Sequence, residues 1–153
     1  MTRILLTGAA GFVGQALVRR LCEPAAGLAP EQLTVVDLAL DSATLPAHPA
    51  LRVVQGSITD AAVRAESLAG KPDLVFHLAA ITSGQAEREF ALGLDVNLHA
   101  TLALFEALRA QGQATGATPR LVQASSIGVY GLPLPAHIDD ATPLVPTLSF
   151  CAP

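Results

Sequence analysis

The stretch Thr7-Gly8-Ala9-Ala10-Gly11-Phe12-Val13-Gly14 constrains the fold more than any other part of the sequence. It follows an apolar run, Arg3-Ile4-Leu5-Leu6, and opens an amphipathic segment from Val13 to Leu21. Strand, glycine turn and helix in that order form the arrangement that receives a pyrophosphate. Glycine permits the tight turn, its missing Cβ lets phosphate approach the backbone, and the N–H groups at the helix start face the anion. The spacing here is Gly-x-x-Gly-x-x-Gly rather than Gly-x-Gly-x-x-Gly, and a glycine triplet alone is equally an ordinary βα turn. The rest of the chain has to decide between the two.

Alternation decides it. Arg3 to Thr7 reads as a first strand, followed by a helix in which Val13, Leu17 and Leu21 recur at i+4 as a buried stripe. Pro24 and the Ala/Gly/Pro stretch to Pro30 end that helix. Leu33-Thr34-Val35-Val36-Asp37 is a second strand closing on an acid, a little over twenty residues past the last loop glycine. A carboxylate there accepts hydrogen bonds from the adenosine ribose hydroxyls and repels a 2′-phosphate, which favours NAD over NADP. Leu51 to Gln55 is a third strand, and Thr59 or Asp60 caps a helix from Ala61 to Leu68. Asp60 also has a ligand reading, because this turn falls where an adenine amine would meet a polar group. Leu74 to Leu78 is a fourth strand ending in the small pair Ala79-Ala80. His77, in an apolar strand, reads as a core histidine with one hydrogen bond rather than a catalytic one.

Ile81 to Glu89 is polar and lies at the carboxyl edge of the sheet, where ligands bind in open α/β folds. Phe90, Leu94, Leu98, Thr101 or Leu102, Phe105 and Leu108 then step at helical spacing, which predicts one long helix over 87–110 with Asn97 inside it. Gln111 to Pro119 reads as a linker. Arg120 to Ala124 is a fifth strand, running into Ser125-Ser126-Ile127-Gly128-Val129-Tyr130-Gly131. The expectation is a single Rossmann-like α/β domain over 1–153, a doubly wound parallel sheet of order 3-2-1-4-5.

Composition agrees with a sheet buried on both faces: the 153 residues are 51% hydrophobic and 14% charged. The net charge of −4 argues against nucleic acid as a partner. No apolar run reaches the about 18 residues that a membrane span needs, and no secretory signal is visible. Cys22 and Cys151 form neither a metal-spaced nor a disulfide-like pattern, and no metal is expected. A reducing, cytoplasmic setting fits this cysteine usage.

With Thr7–Gly14, Asp37, Gly56–Asp60, His77-Leu78-Ala79-Ala80, Asn97 and Ser125–Gly131 in place, the chain resembles the extended short-chain dehydrogenase/reductases, the NAD-dependent epimerase/dehydratase group. Five motifs in order, from Arg3 to about Ser149, carry the likeness. Ser83-Gly84-Gln85-Ala86-Glu87 and Phe90-x-x-Gly93-x-x-x-Asn97 look like the D-erythronate dehydrogenases, a subgroup oxidising a sugar acid. The resemblance implies NAD as cofactor, with Gly8, Gly11, Phe12, Val13 and Gly14 at the pyrophosphate and Asp37 at the adenosine ribose. Ser57, Ile58 and Asp60 would border the adenine. Leu78, Ala79 and Ala80 would line the nicotinamide end, with Asn97 and Ser125 supporting it. Ser126 would orient the reacting hydroxyl or carbonyl, and Ser83 would face a sugar-acid or nucleotide-sugar substrate. A structural reading of the serine pair, as caps of a strand-end turn, stays open beside this.

One part of the pattern departs. The family's chemistry uses a Tyr-x-x-x-Lys pair, in which the lysine depresses a phenol that is otherwise a poor base near pKa 10. The one tyrosine, Tyr130, has Leu134 four residues on, and the one lysine, Lys71, precedes the fourth strand. Phe150 stands where the tyrosine is expected. A truncated copy of a longer enzyme and a short dinucleotide-binding protein without catalysis both meet this pattern. The abrupt loss of motif favours the first, and hydride chemistry by this chain alone should be absent or very weak. Loss of a covering helix beside 87–110 would leave an apolar patch and lead to poor solubility or self-association, an expectation that a clean monomer in analytical ultracentrifugation would contradict.

Overall fold

The computed structural model describes residues 2–23, 27, 30–41, 43–148 and 151, and of Ser83 only the main chain. The expected Tyr position, Phe150, lies outside the described residues.

Five parallel strands make one sheet in the order β3-β2-β1-β4-β5: β1 is Thr2–Thr7, β2 Pro30–Asp37, β3 Leu51–Gln55, β4 Leu74–His77 and β5 Arg120–Gln123. The order is the one that alternation predicts. Because β1 is central, its side chains are buried on both faces, and the two cores divide by its alternation. Ile4 and Leu6 join Val18, Leu21, Leu33 and Val35 on one side. Leu5 joins Val36, Val54, Val75, Leu104 and Leu108 on the other. In-register pairing of Thr7 with Val36 and with His77 ends β1, β2 and β4 at one level. That common carboxyl edge is where the loops carrying the site emerge. At the opposite edge, the Arg3 guanidinium and main-chain N–H both donate to the Asp73 carboxylate, which holds that acid below the usual carboxylate range.

The helices are α1 (Phe12–Cys22), α2 (Ala61–Leu68), α3 (Ser83–Arg88), α4 (Phe90–Leu94) and α5 (Ala100–Thr115). A π-helical turn, Asp95–His99, joins the last two, so 90–115 is one continuous helical rod. Several boundaries differ from the sequence reading. The segment at Ile81–Glu89 contains α3, and Glu89 (φ −122°, ψ 63°) breaks it from α4, so the long helix starts at Phe90. It ends at Thr115, with Gly116 in the left-handed C-cap conformation, so most of the expected linker is helix.

Both expected apolar stripes hold in part: Leu21, Thr101 and Leu108 are buried and Leu17 packs against the core, while other positions shift. On α1 the buried residues are Gly14, Val18 and Leu21, whereas Val13 is 61% exposed, because Gly14 packs beneath the glycine loop and sets the helix's rotation. On α5 the buried face is Ala100, Thr101, Leu104 and Leu108, while Leu102 points outward. The π turn adds a residue to one helical turn and so rotates the whole of α5 relative to α4. By length and mean hydropathy of 1.2, Phe90–Thr115 is apolar enough to cross a membrane. Its buried stripe against the sheet and its outward Glu106–Arg109 ion pair are those of a crossover helix.

Candidate functional site

The loop after β1 is built by backbone geometry. Gly8 has φ +77°, and the N–H groups of Gly8 and Ala9 both donate to the Val36 carbonyl of β2. A Cβ on Gly8 would lie 2.6 Å from the main chain of Leu78 and Ala79. A Cβ on Gly14 would run into the Gly8 carbonyl oxygen. These two glycines therefore let loop, helix and β4 pack together. Gly11 differs: a Cβ there would meet only the Gly8 oxygen at 3.3 Å, and its other side is open. Gly11 is also the N-cap of α1 without a side-chain partner, and the first turn of any helix leaves N–H groups free of intrahelical acceptors. Phe12 and Val13 offer such main-chain groups while their side chains face outward, Phe12 at 94% exposure.

A cleft of about 590 Å³ opens beside this loop. Of the expected cofactor residues, Gly8, Gly11, Asp37, Ser57, Ile58, Leu78, Ala79 and Ala80 line it. Asp37 ends β2, and its Oδ2 accepts the Ala10 N–H at 2.9 Å. The acid thus braces the glycine loop and still has acceptor capacity, since a carboxylate offers about four lone-pair sites. Asp60 stands differently. Its Oδ1 accepts the Ala62 N–H at 2.7 Å and caps α2, and Thr59 rather than Asp60 contributes to the cleft wall. The expected cap is thus present, and it leaves the ligand reading of Asp60, which can hold beside it, as an expectation.

A second cleft, of about 270 Å³, lies across the Leu78–Ala80 segment. Asn97, Ser125 and Ser126 line it, as does Cys151. Ser126 Oγ accepts the Gly128 N–H at 3.1 Å and N-caps the 3-10 turn Ile127–Tyr130. It therefore caps a turn and faces a cleft together. Ser83 begins α3, beside the cleft-lining Thr82 and Gln85, and its side chain lies outside the described residues.

Two polar clamps hold the wall between the clefts. Asn97 Oδ1 accepts the Ile81 N–H at 2.8 Å, and its Nδ2 donates to the Ile81 carbonyl at 3.0 Å, so the carboxamide pairs with the chain as a strand would. The π turn carries this side chain. The second clamp is His77, 3% exposed, whose Nδ1 shares a hydrogen bond with Thr7 Oγ1 at 2.7 Å and whose Nε2 shares one with Thr101 Oγ1 at 2.9 Å. Thr7 Oγ1 in turn accepts the Ala79 N–H at 3.3 Å. His77 is thus the expected core residue, with two partners rather than one. Burial lowers its pKa from 6.5 to about 4 and keeps it neutral. Thr7 and Thr101 were invisible as site residues because each sits in an apolar pattern. Their signal is a threonine facing a strand histidine, which appears only once β1, β4 and α5 are packed.

A cleft at the carboxyl edge of a doubly wound sheet, with a glycine loop at one wall and a strand-end acid at another, fits a dinucleotide. Residues 4–152 match the NAD dependent epimerase/dehydratase family. The chain belongs to this family. It is 39% identical to D-erythronate dehydrogenase of Cupriavidus necator, covering 96% of this chain and 45% of that protein. Among solved structures it superposes on a nucleoside-diphosphate-sugar epimerase of Agrobacterium tumefaciens with a TM-score of 0.85 and 35% identity, over 99% of this chain and 45% of that one. A uronate dehydrogenase of Agrobacterium tumefaciens, crystallised with NAD, matches at 36% identity and a TM-score of 0.66, over 84% of this chain and 42% of that one. The chain thus spans under half the length of these relatives. In this epimerase/dehydratase-family domain the glycine loop, the strand-end acid and the small residues after β4 all line one cleft.

Proposed function

We propose that this chain is the NAD-holding part of an oxidoreductase whose substrate is a sugar acid such as D-erythronate. The cleft carries the reading: Asp37 stands at the end of β2 with its carboxylate braced on Ala10, beside an N-terminal helix turn whose cap is the glycine Gly11. Gly11 and the main chain of Phe12 and Val13 would hold the pyrophosphate, Asp37 the adenosine ribose, and Ala79-Ala80 the nicotinamide end. NAD, when bound, supplies a hydride acceptor. Ser126 would orient the carbon-bound hydroxyl in the second cleft. The choice of sugar acid is supported by the likeness to D-erythronate dehydrogenase. A nucleotide-sugar epimerase is the second reading, supported by the TM-score of 0.85 to a protein of that description.

The proton step of the family pair has no candidate among the described residues. Lys71 precedes β4, at the strand end away from the site, and Tyr130 belongs to the turn that Ser126 caps. Binding and turnover therefore have to be tested separately. In calorimetry the 153-residue chain is expected to bind NAD and to prefer it over NADP. Asp37→Ala should weaken NAD on the order of tenfold, the worth of a charge-assisted hydrogen bond, and narrow the preference. No heat with millimolar NAD would remove the cofactor reading. For the substrate, a chimera continuing residue 149 into the carboxyl half of the Cupriavidus necator enzyme should reduce NAD with D-erythronate. Activity on nucleotide sugars alone would select the second reading.

A further inference from the structure

The Ser57–Asp60 turn forms one wall of the cleft, and its conformation is imposed from behind by α2. Three contacts do this. Val63 packs on Gly56, which has φ +154° and where a Cβ would come within 2.6 Å of the valine Cγ2. Asp60 caps the helix. The third contact is Arg64, half-buried, whose Nη1 donates to the carbonyl oxygens of both Ile58 and Thr59 at 2.8 Å. Two successive carbonyls are thus tied to one guanidinium, which restrains both peptides of the turn. The same turn is braced internally by the hydroxyl pair Ser57 Oγ···Thr59 Oγ1 at 2.7 Å, and Ser57, Ile58 and Thr59 all line the cleft.

We infer that Arg64 is a positioning residue for base recognition: by holding the Ile58 and Thr59 carbonyls it fixes the turn so that its polar groups read an adenine. The inference rests on the reading of this cleft as a dinucleotide site. Arg64 stands behind the turn and is not among the residues lining the cleft, so its effect is on discrimination. A guanidinium suits the task because its fork is planar and permanently charged, and two acceptors converge on one nitrogen.

The test compares NAD with its hypoxanthine analogue, which replaces the adenine amine by a carbonyl, using calorimetry on the full chain. The wild type is expected to bind NAD more tightly. Arg64→Ala should reduce the NAD-to-analogue ratio several-fold, towards one, because the released turn no longer distinguishes the amine. Arg64→Lys, which keeps a cationic donor, should recover most of the ratio. Arg52→Ala serves as the structural control. It breaks the Arg52–Glu66 pair that ties β3 to the same helix, at 3.1 Å, and should lower stability without moving the ratio. An unchanged ratio in Arg64→Ala, or an equal collapse in Arg52→Ala, overturns the inference while leaving NAD binding intact. If Arg64→Ala does not fold, Arg64→Gln and Arg64→Lys decide on the same ratio. A wild type that binds neither dinucleotide overturns the site reading itself, and this inference with it.

Discussion

Gly8→Ala is expected to abolish measurable NAD binding and to destabilise the fold by about 3 kcal/mol or more. Two independent costs meet at this residue. The φ of +77° lies in the left-handed region, where a residue with a Cβ pays about 1 to 3 kcal/mol in backbone strain. The added methyl would also sit 2.6 Å from Leu78 C and Ala79 N. Those are main-chain atoms of a segment pinned at Ala79 by Thr7 and at Ile81 by Asn97, so no side-chain rotation relieves the contact. Relief requires separating the loop from β4, which breaks the Gly8 and Ala9 bonds to Val36 and moves the wall of the cleft. Gly11→Ala is the informative contrast. Its methyl meets only the Gly8 oxygen at 3.3 Å, so the fold should keep nearly all its stability while phosphate approach is hindered. Urea denaturation and NAD titration of the two variants should therefore separate: position 8 loses both properties, position 11 mainly binding. Equal stability of Gly8→Ala and wild type would refute the packing role.

The glycine loop was legible because its requirements are local: a turn with positive φ and a close backbone contact demand glycine whatever surrounds them. Asp37 was legible for a related reason, since a strand-end acid follows from counting along one βα unit. Sheet order followed from the handedness of the crossovers. What stayed hidden depends on partners distant in sequence. Val13 leaves the α1 stripe because Gly14 packs on Gly8, and Leu104 rather than Phe105 is buried on α5, beyond a π turn whose Asn97 reaches Ile81. Neither can be obtained from helical spacing, which assumes 3.6 residues per turn throughout. Asp60 had two readings because a cap and a ligand group have the same sequence signature. Arg64 carried no signal at all: a basic residue on a short exposed-looking helix reads as a solvated face until Ile58 and Thr59 turn their carbonyls toward it.

His77 ties the site to acidity. Its imidazole is held neutral between Thr7 and Thr101, with the Phe105 ring edge-on at 6.5 Å, and burial drops its pKa from 6.5 to about 4. An unfolded chain takes up this proton near pH 6.5, whereas the folded chain resists it until about pH 4. Between those values the unfolded state binds more protons, so stability rises with pH across the window and falls as the solution is acidified. The full difference is about 3 kcal/mol, complete above pH 6.5 and exhausted below about pH 4. Carboxylates also weaken a fold in acid, Asp73 beside Arg3 among them, but its lowered pKa places that loss below the unfolded carboxylate value. His77→Gln separates the contributions. Glutamine can bridge the two threonines without titrating, so the wild-type-minus-variant stability should decline steadily from pH 7 to pH 4.5 in urea denaturation. NAD affinity measured at the same pH values should weaken only once the Thr7–Ala79 contact is lost with the imidazole's neutrality. A stability difference that stays flat over that range would mean the histidine is not buried between its threonines, and the wall between the two clefts would then need another support.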